Sequence, residues 1–190
     1  LVTLLGQAGT GKTLLALGAA LRKVIDENAY RRVLVSRPIM PLGRDIGYLP
    51  GSKDEKISQW MLPIFDNMEF ILDYHRGHTE GVEALMENGV LQMEAVTYMR
   101  GRSLSKQFII IDEAQNLTPH EVKAIISRVG PGSKMVLTGD PYQIDNPYLD
   151  ASSNGLTYCV EKLKGQPMFG NMFFVKNERS DIASLAAQLL

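Results

Sequence analysis

The residues best suited to chemistry form a glycine-rich loop that directly follows an apolar run at positions 1–5. Its G-x-x-x-x-G-K-T spacing lets backbone N–H groups surround an anion, while the lysine reaches the β- and γ-phosphates and the threonine hydroxyl ligates Mg²⁺. An apolar helical pattern follows, so the phosphates would lie at a helix N-terminus. We therefore predict a phosphate-binding loop, with Lys12 also catalytic and Thr13 a metal ligand, made of Gly6, Gln7, Ala8, Gly9, Thr10, Gly11, Lys12, Thr13 and Leu14.

Two adjacent carboxylates, Asp112 and Glu113, follow the apolar run 108–111. Such a run, rich in β-branched residues, is typical of a strand buried on both faces of a parallel sheet. Ligands bind beyond the carboxyl ends of such strands, so the carboxylates should reach the same edge as the phosphate loop. We predict that Asp112 holds Mg²⁺, through water, and that Glu113 acts as general base toward an attacking water.

The nucleotide is predicted to be ATP. GTP-binding proteins read guanine with an Asn-Lys-x-Asp segment, and the sequence contains none. A small-molecule kinase would need an arginine-rich lid and an acceptor pocket, and no such lid is evident. Hydrolysis is therefore the favoured reaction.

Two further polar residues follow strand-like segments. Gln143 lies in the segment Gly139-Asp140-Pro141-Tyr142-Gln143, after the apolar run 134–138, where its amide could sense the γ-phosphate or the attacking water. Arg179 precedes a helical pattern at 182–190 and could place its guanidinium on the γ-phosphate, from its own chain or in a neighbouring subunit's site. A single arginine at a helix start is otherwise usually a solvated surface residue.

The phosphate loop, the Asp112-Glu113 pair, the Gln143 segment and Arg179 follow one another along the chain in the same order as the motifs of the first motor domain of superfamily 1 helicases, which they resemble. Closer still is the PhoH family of bacterial phosphate-starvation-inducible ATPases, in the branch fused to an amino-terminal PIN nuclease domain. The strings that carry the resemblance span nearly the whole chain and include Val35-Ser36-Arg37-Pro38-Ile39, Gly47-Tyr48-Leu49-Pro50-Gly51, Asp112-Glu113-Ala114-Gln115-Asn116 and Asn146-Pro147-Tyr148-Leu149-Asp150.

The resemblance implies a RecA-like P-loop NTPase fold, the cofactors ATP and Mg²⁺, a homo-oligomeric ring, in particular a hexamer, and action on single-stranded RNA. It also implies that one strand separates the phosphate-loop strand from the Asp112 strand. No set of acidic residues of the PIN type can be assigned, so nuclease activity is not expected. We interpret residues 1–190 as a single ATPase domain, a fragment of a longer protein, with insertions near 37–106.

The candidate RNA-binding residues are Tyr98, Arg100, Arg102 and Lys106, a segment with three cations, one aromatic ring and no intervening acid. Cations on phosphates and a base stacked on tyrosine are how single strands are held. A solvated loop or a subunit contact explains the same residues nearly as well. An ATP-gated regulatory or assembly module that does not touch nucleic acid therefore remains an alternative function.

The elements that position these residues alternate between strands and helices, which predicts a three-layer α/β domain with a mostly parallel sheet. Pro63 should break or kink a helix at 57–72, and Thr118 with Glu121 forms a capping box. A net charge of −1 argues against a strongly electrostatic nucleic-acid binder. Without an apolar stretch of membrane-spanning length or a targeting signal, a cytoplasmic location is expected. We predict strands near 2–5, 33–36, 91–96, 108–111, 134–138 and 172–175.

Overall fold

The structure, a computed structural model, describes residues 1–39, 53–74 and 81–176; for residues 53–59 it describes only the backbone. Its centre is a six-stranded sheet in the order β3-β2-β4-β5-β1-β6, in which every pair of neighbours is parallel. The strands are β1 Val2–Gly6, β2 Arg32–Arg37, β3 Leu91–Ala95, β4 Gln107–Ile111, β5 Lys134–Gly139 and β6 Gly170–Phe174.

All six predicted strands are present, with ends that differ by at most two residues from the expected positions. β5 lies between β1 and β4, with Leu4 beside Thr138 and Ile111 beside Leu137. The predicted single-strand separation between the phosphate loop and Asp112 is therefore confirmed. Since the strands are parallel, their carboxyl ends meet at one edge of the sheet, which we call the carboxyl edge.

Helices cover both faces of the sheet, which gives the predicted three layers. The helices are α1 Lys12–Leu21, α2 Lys53–Tyr74, α3 Val82–Glu87, α4 Pro119–Ile126 and α5 Gly155–Leu163. A π-helical segment, Arg22–Asp26, continues α1. Successive strand residues point to opposite faces, so Ile110 joins the core beneath α1, α2 and α3, while Ile109 and Ile111 join the core beneath α4 and α5.

The expected break at Pro63 is wrong, because α2 continues through this residue to Tyr74. A proline within a helix costs about 3 kcal/mol, whereas each fully buried aliphatic side chain contributes about 1.5–3 kcal/mol. Pro63 is exposed, and the buried stripe of α2 packs against the sheet, so burial of that stripe outweighs the lost hydrogen bond. The stripe consists of Met61, Ile64, Met68 and Leu72.

Among the described residues, no helix is both long and apolar enough to cross a membrane.

The start of α4 forms as predicted. Thr118 accepts a hydrogen bond from the Glu121 backbone N–H at 3.2 Å, and the Glu121 carboxylate accepts one from the Thr118 N–H at 2.9 Å. Pro119 occupies the first helical turn, where no intrahelical donor is lost. Thr118 and Glu121 therefore have a structural role, which is to fix the start of α4 in the segment that follows β4 and Asp112.

The chain's single cysteine, Cys159, is buried on α5 against the second core. Burial raises the pKa of its thiol to about 11, and the thiolate is the reactive form. We expect Cys159 in the native protein to react with a thiol reagent at pH 8 at least tenfold more slowly than in denaturant. Stopped-flow labelling with and without guanidinium chloride measures this difference; equal rates would contradict the burial of α5.

Candidate nucleotide site

The phosphate loop needs glycine at its two ends for different reasons. At Gly6, φ is +152° and a Cβ would lie 2.6 Å from the Phe174 carbonyl oxygen, so a side chain would collide with β6. At Gly11, φ is +79°, the left-handed conformation in which the loop turns into α1. The sequence pattern thus corresponds to a strand, a tight loop and a helix in the predicted order.

Lys12 folds back over this loop and is 8% exposed. Its Nζ donates a hydrogen bond to the Gln7 carbonyl oxygen at 2.8 Å and lies 3.5 Å from Thr10 Oγ1. The ammonium group is thereby held over the concave side of the loop, which lines a cavity. A phosphate group in that cavity would lie close to the positively charged ammonium group of Lys12.

Asp112 lies directly beside Thr13 at the carboxyl edge. Its Oδ1 accepts hydrogen bonds from Thr13 Oγ1 at 2.7 Å and from Thr138 Oγ1 at 2.6 Å. The structure therefore brings the two predicted metal ligands together. A hydroxyl and a carboxylate are the hard oxygen donors that suit Mg²⁺, which usually takes one or two protein ligands together with phosphates and water. The described residues contain no group of three or more acidic, histidine or cysteine side chains that could hold a metal ion.

Glu113 adopts a left-handed backbone conformation, with φ +55° and ψ +38°. Such a conformation is uncommon for a residue with a side chain, and strained residues of this kind are enriched at functional sites. Its carboxylate is held at both oxygens: Oε1 lies 3.4 Å from Arg37 Nη2, and Oε2 accepts a hydrogen bond from Gln115 Nε2 at 2.6 Å. Glu113 thus faces the cavity in a fixed orientation.

The pKa of Glu113 is raised above its ordinary value. Burial is the largest cause, because it disfavours the charged carboxylate, and the neighbouring charge of Asp112 adds to the effect. The hydrogen bond from Gln115 and the positive charges of Arg37 and Lys12 act in the opposite direction. A carboxylate with a raised pKa is a better proton acceptor, as a general base requires.

Gln115 connects Glu113 to the loop that carries Gln143. Its side chain is fully buried, donates to the Gln143 carbonyl oxygen at 2.9 Å and accepts from the Asp140 backbone N–H at 3.2 Å. Gly139 is required beneath it, because a Cβ there would collide with Gln115 Oε1. The segment after β5 and the segment after β4 therefore form one hydrogen-bonded unit.

Asp140 joins the same unit to the phosphate loop. Its Oδ2 accepts a hydrogen bond from the Ala8 backbone N–H at 3.1 Å, and its Oδ1 accepts one from the Tyr142 N–H at 3.0 Å. Because β5 lies between β1 and β4, its carboxyl end contacts both the phosphate loop and the segment after β4. The placement of Gln143 at this cavity is consequently fixed from two sides.

These groups line a cavity of about 580 Å³ at the carboxyl edge, within the usual size range of small-molecule sites. The phosphate loop forms its floor, and Pro63 and Asn67 of α2 contribute a wall. The predicted residues that line it are Ala8, Gly9, Gly11, Lys12, Thr13, Leu14, Asp112, Glu113 and Gln143. Arg179 lies outside the described residues.

Sequence reasoning did not assign Arg37, Gln115, Asp140 or α2 to the site. Arg37 ends β2 at the carboxyl edge, where it lies 3.3 Å from Asp112 through its Nε and contacts Glu113. The rule that located Asp112 at the end of β4 could have located Arg37 as well. Nothing in the sequence indicated α2, because its place beside the site depends on long-range packing.

Of the four candidate RNA-binding residues, Tyr98 and Arg102 are in contact, because Arg102 Nη1 donates a hydrogen bond to the Tyr98 carbonyl oxygen at 3.4 Å, and Lys106 lies apart from them. Tyr98 is 41% exposed at the end of the 3₁₀ turn Val96–Met99, and Arg100 is within 3.8 Å of Glu121. Arg102 is paired with Glu94 at 2.6 Å. Lys106 directly precedes β4 at the opposite edge of the sheet, where it lines a separate cavity of about 780 Å³.

Together, the phosphate loop, the Thr13–Asp112 pair and the all-parallel sheet define a P-loop NTPase. A family model described as PhoH-like protein matches residues 1–188. The chain therefore belongs to the PhoH family.

Among its relatives, the protein PhoH2 of Bacillus subtilis is 58% identical over 191 residues, which cover 100% of this chain and 43% of that protein. PhoH2 of Mycolicibacterium smegmatis is 39% identical, with 100% and 42% covered. A PhoH-like protein of B. subtilis is 39% identical over 161 residues, with 85% and 48% covered. The chain thus spans less than half the length of these relatives.

Solved structures with a similar backbone fold include helicases and an ATPase core. The SWI2/SNF2 ATPase core of Sulfolobus solfataricus in complex with dsDNA has a TM-score of 0.47 at 17% identity, covering 90% of this chain and 40% of that one. The PRRSV helicase has a TM-score of 0.46 at 13% identity, covering 91% and 29%.

Proposed function

We propose that this chain hydrolyses ATP with Mg²⁺ and couples hydrolysis to single-stranded RNA. The observation that carries the hydrolysis proposal is the position of Glu113, whose carboxylate is oriented into the cavity formed by the phosphate loop and Asp112. A site that only bound nucleotide would not require a half-buried carboxylate in a left-handed backbone conformation beside the metal ligand. Glu113 is therefore the feature that distinguishes hydrolysis from binding.

In this proposal the chain's residues divide the work. Lys12 and the loop N–H groups bind the phosphates, while Thr13 and Asp112 hold Mg²⁺, which supplies charge neutralisation at the β- and γ-phosphates when bound. Glu113 orients the attacking water and accepts its proton. Gln143 contacts the water or the γ-phosphate, and Arg179 adds positive charge at the γ-phosphate.

The RNA part of the proposal comes from the family resemblance, supported by one local feature. Tyr98 presents a partly exposed ring near the carboxyl edge, beside the 63% exposed side chain of Arg100. Because Arg102 is paired with Glu94 at 2.6 Å and Lys106 lies at the other edge, the proposed RNA contact rests on Tyr98 and on Arg100, whose own pairing with Glu121 is longer, at 3.8 Å. A homo-oligomeric ring would add contacts from several subunits.

The pairing of Arg102 with Glu94 also favours the second candidate function, an ATP-gated regulatory or assembly module, because it leaves fewer unpaired cations for RNA in this segment. In that case nucleotide would set the number of subunits, and RNA would have no effect. The two functions differ in one measurable quantity, the dependence of turnover on RNA.

We expect single-stranded RNA to raise the steady-state ATPase rate at least threefold, with the Tyr98→Ala variant losing most of the increase because a base no longer stacks on the ring. Tyr158→Ala is the matched control, since Tyr158 is 42% exposed on α5 and is not among the residues that line the cavity. Native mass measured with and without ATP gives the subunit count. RNA-independent turnover with a nucleotide-dependent mass would support the regulatory alternative.

A further inference from the structure

Arg37 is a buried cation placed between the two carboxylates of the site. Its side chain is 12% exposed, with Nε 3.3 Å from Asp112 Oδ2 and Nη2 3.4 Å from Glu113 Oε1. Nη1 donates a hydrogen bond to the Trp60 carbonyl oxygen of α2 at 3.0 Å, and the guanidinium lies 5.4 Å from the centre of the Trp60 ring. One residue of β2 thus connects β4 with α2.

The contacts differ in kind. The hydrogen bond to the α2 backbone fixes the guanidinium, whereas the Nε group is buried without an aligned acceptor even though Asp112 is close. Arg37 therefore acts on Asp112 through its charge, whereas its Nη2 also donates a hydrogen bond to Glu113 Oε1 at 3.4 Å. Since adjacent carboxylates repel each other, a fixed cation between them offsets part of that repulsion.

Arg37 and Gln115 hold opposite oxygens of Glu113. Gln115 donates the short hydrogen bond to Oε2, and Arg37 lies beside Oε1, the oxygen without a hydrogen bond from Gln115. With both oxygens restrained, the side chain keeps one orientation toward the cavity. A general base needs this restraint, because small misplacements lower the rate of proton transfer steeply.

We propose that Arg37 is a positioning residue for the hydrolytic reaction, which acts by holding Glu113 through its charge and its anchor on α2. The inference rests on the proposed hydrolysis and adds a residue to it. The competing explanation is that Arg37 only neutralises Asp112 for folding. In that case its loss would affect stability and nucleotide binding but would not depend on Glu113.

The test is a double-mutant cycle on the full chain. We expect Arg37→Gln to lower kcat about tenfold or more, with KM for ATP changed less than threefold. In the Glu113→Gln background the same substitution should change single-turnover hydrolysis less than twofold, because the group that it positions is already gone. An equal loss in both backgrounds would overturn the proposal.

Arg37→Lys provides the second variant, which keeps the charge but not the planar fork. We expect it to recover part of the kcat lost in Arg37→Gln, and equal losses in the two variants would contradict a role through charge. If Arg37→Gln does not fold, the cycle is performed with Arg37→Lys alone. Arg32→Gln is the matched control: Arg32 lies at the other end of β2, where Nη1 donates to Gln92 Oε1 at 3.0 Å, and kcat should remain unchanged.

A readout independent of turnover uses Trp60, the only tryptophan of the chain. Removing the cation over its ring in Arg37→Gln should shift its emission in the folded, nucleotide-free protein, whereas Arg32→Gln should not. Unchanged emission would contradict the placement of Arg37. Normal turnover in Glu113→Gln would refute the proposed hydrolysis itself, whereas normal turnover in Arg37→Gln alone would refute only this inference.

Discussion

Glu113→Gln is expected to bind Mg·ATP with nearly normal affinity and to lose turnover by about 10²-fold or more. The amide has the shape of the carboxylate and can still accept the hydrogen bond from Gln115, but it cannot take a proton from water. Loss of the charge also removes repulsion from Asp112, whose Oδ1 still accepts the hydrogen bonds from Thr13 and Thr138. Binding and chemistry should therefore separate in this variant.

The measurements are ATP affinity by calorimetry and kcat under saturating ATP, with Glu161→Gln, an exposed position on α5, as the control. In the parent chain, kcat/KM should fall as the pH falls through the raised pKa of Glu113, because the base must be ionised. This acid limb should be absent from the residual activity of Glu113→Gln. Near-normal turnover would move the role of base elsewhere, with Gln143 the next residue to test.

The strands and the position of the main site residues are predictable from the sequence because they depend on local pattern. A buried parallel strand appears as a short apolar run, and the carboxyl ends of such runs meet at one edge. Lys12, Thr13, Asp112 and Glu113 are placed by that rule and meet in the structure. Arg37 obeys the same rule, but a single arginine after a strand has no motif that distinguishes it from a surface residue.

The candidate RNA segment shows where local pattern is insufficient. Between two parallel strands the chain must return from the carboxyl edge to the amino edge, so residues at the two ends of such a connection lie far apart. Tyr98 and Lys106 are separated in this way, since the first follows β3 and the second precedes β4. Their closeness in sequence therefore does not place them at the same edge of the sheet.

Other features depend on contacts between distant parts of the chain. The hydrogen bond from Gln115 to the Gln143 loop depends on the pairing of β4 with β5, and Glu113 adopts its left-handed conformation between these segments. α2 likewise tolerates Pro63 because its buried face packs on the sheet. Local propensity opposes both features, and tertiary contacts decide them.

Lys12→Ala is expected to fold normally and to bind ATP on the order of 10- to 100-fold more weakly, the range for losing hydrogen bonds to a charged group. Its ammonium contacts the Gln7 carbonyl and the Thr10 hydroxyl of the loop, and the side chain belongs to neither hydrophobic core. The substitution therefore removes a cation from the cavity without removing a packing group.

Calorimetric titration with Mg·ATP measures the affinity, and thermal unfolding without nucleotide verifies the fold. Lys23→Ala is the matched control, because Lys23 carries the same charge in the π-helical segment after α1 and pairs with Glu27 at the surface. Its affinity for ATP should remain unchanged. Unchanged affinity in folded Lys12→Ala would instead show that the nucleotide binds somewhere other than this loop, and the roles proposed for Glu113 and Arg37 would lose their substrate.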